Sequence, residues 1–330
     1  MDLRLVPVKL EQLIIHKSIA KKLLSFTNDN IPNMVIYGNK NIGKHTIARL
    51  LINHLNDCDI NNQLSLNTSC IKINNNTVNI EYLSSPYHIE VNLYEYGLYD
   101  KHIINDFIGE YVKYKNISGR FKYVILNHID KITIHAQNLL RGIIENNAPI
   151  VRFICLVDSL SLIHPTLLSR VLAIRIPKIN LQDKKDYIEY VCDNFVNLTE
   201  NKKKKLYEIN NIFELNYRIS SLISSKKKFK LNSYDDSIKS IIKHIDENNI
   251  SSIIKIRSIC YNLLLNNISI KYIYKFIVNH YLNSKNLSSE KKYLLCQFAS
   301  SIEAKMCNIE HDIICLEFLI LKVKKLLIKQ

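Results

Sequence analysis

Two glycines and a lysine near residue 40 have the types and spacing of a loop that binds phosphate. The stretch MVIYGNKNIGKHT places Gly38 and Gly43 five residues apart and Lys44 directly after the second glycine. Glycine permits backbone angles that let amide N–H groups converge on phosphate oxygens, and the lysine reaches the β- and γ-phosphates. Glycine is scarce in this chain, at six residues in 330, so the pair is unusually informative.

The flanking residues favour the same chemistry. An apolar run precedes the loop and an amphipathic pattern follows it, which predicts a strand before the glycines and a helix after them. The positive end of that helix would face the bound anion. An ordinary strand, turn and helix is the alternative. The other loop residues predicted to contact a nucleotide are Asn39, Asn41, Ile42, His45 and Thr46.

Hydrolysis requires more than a phosphate loop: Mg²⁺, an acidic residue beside it and a group that orients water. His45 stands where a serine or threonine hydroxyl would hold the metal, and Asn127 and His128 stand where such ATPases have Asp-Glu. These substitutions predict a site that binds ATP or ADP, with or without Mg²⁺, and hydrolyses it little or not at all. The alternative is a competent ATPase in which Thr46 supplies the hydroxyl and Asp130 serves the metal, although Asp130 lies past the strand end.

The elements that position these residues alternate between strands and helices in the first 180 residues. This alternation predicts an α/β domain whose parallel sheet presents its loops at one edge. The predicted strands are 33–37, 87–92, 122–127, 152–157 and 172–177, and the predicted helices are 43–56, 100–114, 133–146 and 165–170.

Strand signals stop after Pro177, and the remaining pattern is helical. Ile314, Phe318 and Leu321, for example, recur at helical spacing. We therefore expect an α/β nucleotide-binding domain over 1–180, a small helical domain over 181–232 and a helical bundle over 233–330.

Composition narrows the class of partner. The net charge of +15 indicates that the partner is a polyanion such as nucleic acid, although a Lys/Asn/Ile-rich bias explains part of the charge.

Eight cysteines without a CxxC pair indicate reduced thiols rather than a zinc site. Neither a membrane span nor a signal peptide is expected.

Three stretches together resemble a known family: PYHIEVN, KYVILNHIDKITIHAQNLLRGIIE and LLSRVLAIRIP. They are similar to the small subunits of the replication factor C clamp loader, which are AAA+ proteins, over about residues 10–230. The resemblance is strongest to the subunit whose ATPase site is naturally degenerate. It implies an AAA+ domain with a phosphate loop and a five-stranded parallel sheet, then a helical lid and an all-α collar that joins subunits.

The resemblance also implies roles for single residues. Arg170, in Ser-Arg-Val, falls on the arginine finger that reaches a neighbouring subunit's ATP site. Asp158 falls on the sensor-1 position, where a carboxylate would repel a γ-phosphate, and Arg218 falls on sensor 2. For both arginines the alternative is a solvated position on a helix.

By the same resemblance, Lys101 and Arg141 would contact DNA phosphates, and Thr133 would cap the helix that carries Arg141. For Lys101 and Arg141 the alternative is an ordinary solvated side chain. The implied partners are the other subunits of a hetero-pentamer, a PCNA-like sliding clamp and primer–template DNA, in the nucleus or in a viral replication factory. A nucleotide-free scaffold subunit is the remaining alternative.

Overall fold

The computed structural model shows two compact units, Met1–Lys226 and Lys227–Gln330. The predicted boundary at 232–233 lies outside the described residues, and the division into three domains stays a prediction. The structure describes the whole chain except residues 1–6, 74–75, 115–120, 196–199, 208, 210–211, 213–214, 217, 221–233, 248–250, 266–269, 285–286, 307–311 and 329–330.

A seven-stranded sheet forms the centre of the first unit. Its strands are β1 (Met34–Tyr37), β2 (Ser65–Ile73), β3 (Asn76–Ser84), β4 (His88–Asn92), β5 (Lys122–Asn127), β6 (Val151–Val157) and β7 (Leu172–Arg175). They lie in the order β2-β3-β4-β5-β6-β1-β7. The last five strands of this order are parallel, and they confirm the predicted strands and the α/β fold.

An antiparallel hairpin, β2 and β3, extends the sheet beyond the predicted five strands. It pairs with β4 through residues 82–84. The hairpin was missed because it has no continuous apolar run: β2 is exposed or half-buried until Ile73. Alternation in SLNTSCIKI and NTVNIEYLS, separated by Asn74 and Asn75, is the signal that could have revealed it.

The parallel strands bring the ends of β1, β4, β5 and β6 to one edge. Strands β5 and β6 are buried almost from end to end, as expected for a sheet covered on both faces. Tyr37 pairs with Val157, and Asn127 pairs with both Asn92 and Leu156. The phosphate loop, Asp158 and Asn127 therefore meet at the carboxyl edge, where α/β sheets bind ligands.

In the first unit, helices connect the strands of the sheet and further helices follow the last strand in sequence. A π-helical segment, Ile103–Ile108, joins Asp100–His102 to Gly109–Lys113, so that the predicted helix over 100–114 is confirmed as one helical run. The helices are α1 (Lys17–Leu24), α2 (Lys44–Asn56), α3 (Asp100–His102), α4 (Gly109–Lys113), α5 (Ile134–Asn146), α6 (Pro165–Leu168), α7 (Leu181–Asn194) and α8 (Glu200–Tyr207).

The described part of the second unit is helical, as predicted. Its helices are α9 (Tyr234–Asp246), α10 (Ser251–Leu265), α11 (Ile270–Asn283), α12 (Ser289–Met306) and α13 (Asp312–Ile328). Leu316, Leu319 and Val323 of α13 are buried in the unit's core, whereas Ile314, Phe318 and Leu321 face solvent. Within the described ranges, no helix is both long and apolar enough to cross a membrane.

Candidate functional site

The loop between β1 and α2 has the backbone of a phosphate cradle. Gly43 precedes α2 with φ 94° and ψ 17°, a conformation that strains any residue with a side chain. A Cβ at Gly38 would come within 2.5 Å of the carbonyl oxygen of Ile176. Asn41 also has a positive φ, 61°, and Ile42 is buried. The residues therefore fit a phosphate group, since the first N–H groups of α2 lack intrahelical partners.

Lys44 is held by three acceptors. Its Nζ donates to the carbonyl oxygens of Gly38 at 2.5 Å and Asn39 at 3.2 Å, and to Asp158 Oδ1 at 2.5 Å. An ammonium group has three N–H donors, so these contacts use all of them. A phosphate oxygen has to displace at least one acceptor to bind Lys44.

His45 and Asn127, the two altered metal positions, contact each other. The amide Nδ2 of Asn127 donates to His45 Nε2 at 3.1 Å. Burial lowers the pKa of His45 despite the opposing effect of Glu90, whose Oε2 lies 3.5 Å from Nε2. A neutral imidazole therefore accepts the hydrogen bond. These residues do not fit Mg²⁺, because neither carries the carboxylate or hydroxyl oxygen that this cation prefers.

Glu90, in β4, anchors the helix that follows the phosphate loop. Its carboxylate is buried and receives Arg49 Nε at 2.6 Å and Nη2 at 2.7 Å, with His88 Nε2 at 3.2 Å. Burial alone would raise the pKa of Glu90, but the hydrogen bonds from Arg49 and His88 lower it to about 2. Sequence reasoning missed Glu90, although a glutamate inside the apolar strand HIEVN signals a paired charge.

The residues after β5 organise the neighbouring loop. His128 has φ 56° and ψ 41°, and its backbone N–H donates to Leu156 O at 2.9 Å. Burial, reinforced by Lys131, lowers the pKa of His128. Asp130 is buried, and its Oδ2 accepts the backbone N–H of Asp158 at 3.1 Å. Asp130 thus positions the backbone of the residue that binds Lys44.

Arg170 lies at the surface just after α6. The Nδ1 of His164 caps this short helix by accepting from Thr166 N. Arg170 Nε donates to Glu145 of α5, and its Nη1 donates to Thr166 O at 2.7 Å and Ser169 Oγ at 2.9 Å. Its side chain is 37% exposed. The partner Glu145 was not among the predicted site residues.

Arg218 lies in a segment that passes beside the phosphate loop. Ile212 of this segment would be 3.9 Å from a Cβ at Gly43. Leu215 and Ile219 anchor the segment in a core shared with α7 and α8, and Arg218 between them is half-buried. The contact with the loop is made by Ile212, and the sensor-2 role of Arg218 stays a prediction.

Lys101 and Thr133 are joined by Asp100, which sequence reasoning missed. The buried Asp100 accepts the backbone N–H of Lys101 at 2.5 Å and that of Thr133 at 2.7 Å. Thr133 Oγ1 donates to Asp100 at 3.2 Å and accepts from Ala136 N at 3.3 Å, so Thr133 caps α5 as predicted. The start of the 100–113 helical run and the start of α5 are thus held side by side.

Arg141 is placed differently from Lys101. It is half-buried, two turns after Thr133 on the face of α5 that carries the buried Gln137. Its Nε is buried and has no hydrogen-bond partner among the described residues. The structure does not join Arg141 to the pair formed by Lys101 and Thr133.

Known proteins similar to this chain include the following. A family model described as DNA polymerase III, delta subunit, matches residues 16–180, half of the chain. Replication factor C subunit 3 of Arabidopsis thaliana is 24% identical over 324 residues, which cover 91% of this chain and 89% of that protein. A putative replication factor C small subunit of Acanthamoeba polyphaga mimivirus is 25% identical over 315 residues, with 89% and 82% covered. A solved DNA polymerase III gamma subunit-related protein of Thermotoga maritima covers 96% of this chain and 99% of its own, at 11% identity and a TM-score of 0.47.

Proposed function

The chain belongs to the DNA polymerase III delta subunit family. From its similarity to replication factor C subunits, we propose that it is a small subunit of a hetero-pentameric clamp loader. That complex would open a PCNA-like clamp with ATP and close it around primer–template DNA, in the nucleus or a viral replication factory. Exposed apolar side chains on α10 and α13, among them Ile254, Leu265, Ile314 and Phe318, support contacts with neighbouring subunits through the collar.

The chain's own site would bind nucleotide without hydrolysing it. The observation that carries this proposal is the contact between His45 and Asn127. Neither side chain has the carboxylate or hydroxyl oxygen that Mg²⁺ prefers. The loop around Gly38 and Gly43 still supports a phosphate cradle. Asp158 places a carboxylate beside Lys44, where its negative charge would repel a terminal phosphate.

Two features disfavour the competent ATPase. Thr46 is one residue further along α2 than His45, and a helix turns by about 100° per residue, so its hydroxyl faces a different direction. Asp130 is buried and already binds the backbone of Asp158. The loop also disfavours a purely structural scaffold. Gly38 and Gly43 stand where a side chain would clash or be strained, as the backbone of a phosphate cradle requires.

The contribution to catalysis would be made in trans by Arg170. A guanidinium that reaches a neighbouring γ-phosphate stabilises the charge that develops in the transition state. The exposed position of Arg170 after α6 supports this role, because a buried arginine could not reach another chain. The DNA contact would come from Lys101 and the capped end of α5, with Arg141 as a further predicted contact.

Reconstitution of the complex tests the proposal. Arg170→Ala should lower DNA- and clamp-stimulated ATP hydrolysis at the neighbouring site by about a thousandfold, the lower end of the range for such arginines, while the subunits still assemble. Lys44→Ala in this chain should abolish its nucleotide binding and leave the stimulated rate close to wild type.

Three results would contradict the proposal. Unchanged hydrolysis with Arg170→Ala in a fully assembled complex would remove the trans role. Mg²⁺-dependent turnover by the isolated chain that disappears with Lys44→Ala would establish the competent ATPase instead. If titration with fluorescent ATP and ADP detected no binding to the wild-type chain, the scaffold alternative would stand.

A further inference from the structure

Glu145, in the last turn of α5, is the carboxylate that binds Arg170. Building on the proposed trans role of Arg170, we infer that Glu145 is a positioning residue that restrains this arginine until a neighbouring subunit's ATP displaces it. A γ-phosphate and the Glu145 carboxylate would compete for the same guanidinium. Glu145 would thereby set how much hydrolysis occurs before DNA is bound.

The hydrogen bonds of Arg170 support a restrained arginine. Its Nε donates to Glu145, while its Nη1 donates to Thr166 O and Ser169 Oγ. The guanidinium is thus folded back onto α5 and α6 of its own chain. Reaching a phosphate on another chain requires the Glu145 contact to break, because the carboxylate offsets the charge of the guanidinium and occupies one of its N–H groups.

The exposure of the pair makes that exchange feasible. The side chains of Arg170 and Glu145 are 37% and 42% exposed. Exposed ion pairs are weak because water screens the attraction and both long side chains lose conformational freedom. A γ-phosphate carries more charge than one carboxylate, so it can replace Glu145 without the chain having to unfold.

The location of Glu145 in its helix is a second, independent observation. The carboxyl end of a helix carries partial negative charge, which disfavours a carboxylate in the last turn. The last turn of α5 contains no basic residue that would compensate Glu145. Arg170 is the cation that offsets this cost, so the stability of α5 by itself does not account for a glutamate at this position.

The test uses the reconstituted complex with Glu145→Gln in this chain, which removes the charge and keeps the shape. Hydrolysis without DNA should rise about threefold to fivefold, the fold-change expected for release of a surface ion pair. The DNA- and clamp-stimulated rate should change less than twofold. Glu110→Gln is the matched control, since Glu110 is an exposed glutamate paired with Lys113 at 3.1 Å, and it should change neither rate.

Arg170→Ala, alone and combined with Glu145→Gln, separates this inference from the proposed function. The double variant should hydrolyse ATP like Arg170→Ala alone, because Glu145 acts only through the arginine. If Arg170→Ala leaves hydrolysis unchanged, the trans role and the inference both fail. If Arg170→Ala lowers hydrolysis but Glu145→Gln leaves the DNA-independent rate equal to or below wild type, only the inference is overturned. Glu145→Ala, with assembly checked by size exclusion, should give the same direction as Glu145→Gln.

Discussion

Asp158→Asn should make the nucleotide site bind ATP more tightly. The Asp158 carboxylate lies 2.5 Å from Lys44 Nζ, and the two side chains are only 23% and 12% exposed. In the wild-type chain, an incoming phosphate competes with this carboxylate for Lys44 and is repelled by its charge. An asparagine retains the shape and a neutral acceptor but removes both effects.

The size of the gain follows from these two effects. Lys44 keeps its charge beside an amide, so the first effect is only the loss of the ion-pair attraction, about 0.5–1 kcal/mol for a partly exposed pair. Like charges about 4 Å apart at an effective dielectric constant of about 20 repel by about 4 kcal/mol, which partial exposure reduces to about 1–2 kcal/mol. Together these effects amount to about 1.5–3 kcal/mol and predict a Kd for ATP that falls by about 10- to 150-fold.

Fluorescent ATP and ADP analogues titrated against the isolated chain, with EDTA and with Mg²⁺, measure this gain. The Kd for ADP should fall by about tenfold or less, because ADP lacks the phosphate that the carboxylate repels most. Asp106→Asn is the control, since Asp106 is an exposed aspartate near His102 and distant in sequence from the loop. The reasoning is refuted if Asp158→Asn binds ATP no more tightly than wild type, or if ADP gains as much as ATP.

Two further predictions concern the anchor of α2 and the DNA contact. Glu90→Gln should lower the free energy of unfolding in urea at pH 7 by about 2–3 kcal/mol, because Arg49 loses its carboxylate partner. Since the pKa of Glu90 is lowered from 4.5 to about 2, this contribution is complete above about pH 4.5 and disappears toward pH 2. An equal difference in unfolding free energy between wild type and variant at pH 7 and near pH 2 would contradict it. Lys101→Ala in the assembled complex should reduce the slope of log DNA affinity against log salt concentration by about 0.9. Lys113→Ala, at the other end of the same helical run, should leave that slope unchanged. Equal slopes for both variants would contradict the Lys101 contact.

The central sheet and the phosphate loop were predictable because their signals are local. Five mainly apolar runs correspond to the five parallel strands. Strands β1, β4, β5 and β6 are largely buried and need apolar residues along their length, whereas β7 is a mostly exposed edge strand. Gly38, Gly43 and Lys44 lie within seven residues, and the backbone angles of the loop depend on those residues themselves. The β2–β3 hairpin was not predicted because many residues of β2 face solvent, which leaves only a weak alternation.

The pairings that decide the chemistry of the site were not predictable in the same way. Thr133 could be assigned as a helix cap from neighbouring residues, but its link to Lys101 depends on Asp100, 33 residues away. Lys44 meets Asp158 across 114 residues, and His45 meets Asn127 across 82. The residue types at these positions were readable from the sequence. The parallel register of β1, β5 and β6 decides that the side chains of each pair touch.

The sequence alone therefore determined the α/β class with its five parallel strands, the phosphate loop and the substitutions at the metal positions, because each depends on residue type and short spacing. Only the tertiary structure decided which charges are paired: Glu90 with Arg49, Asp158 with Lys44 and Glu145 with Arg170. An ion pair depends on the distance between two side chains. Between distant segments, that distance is set by strand register and helix packing, which no local pattern encodes.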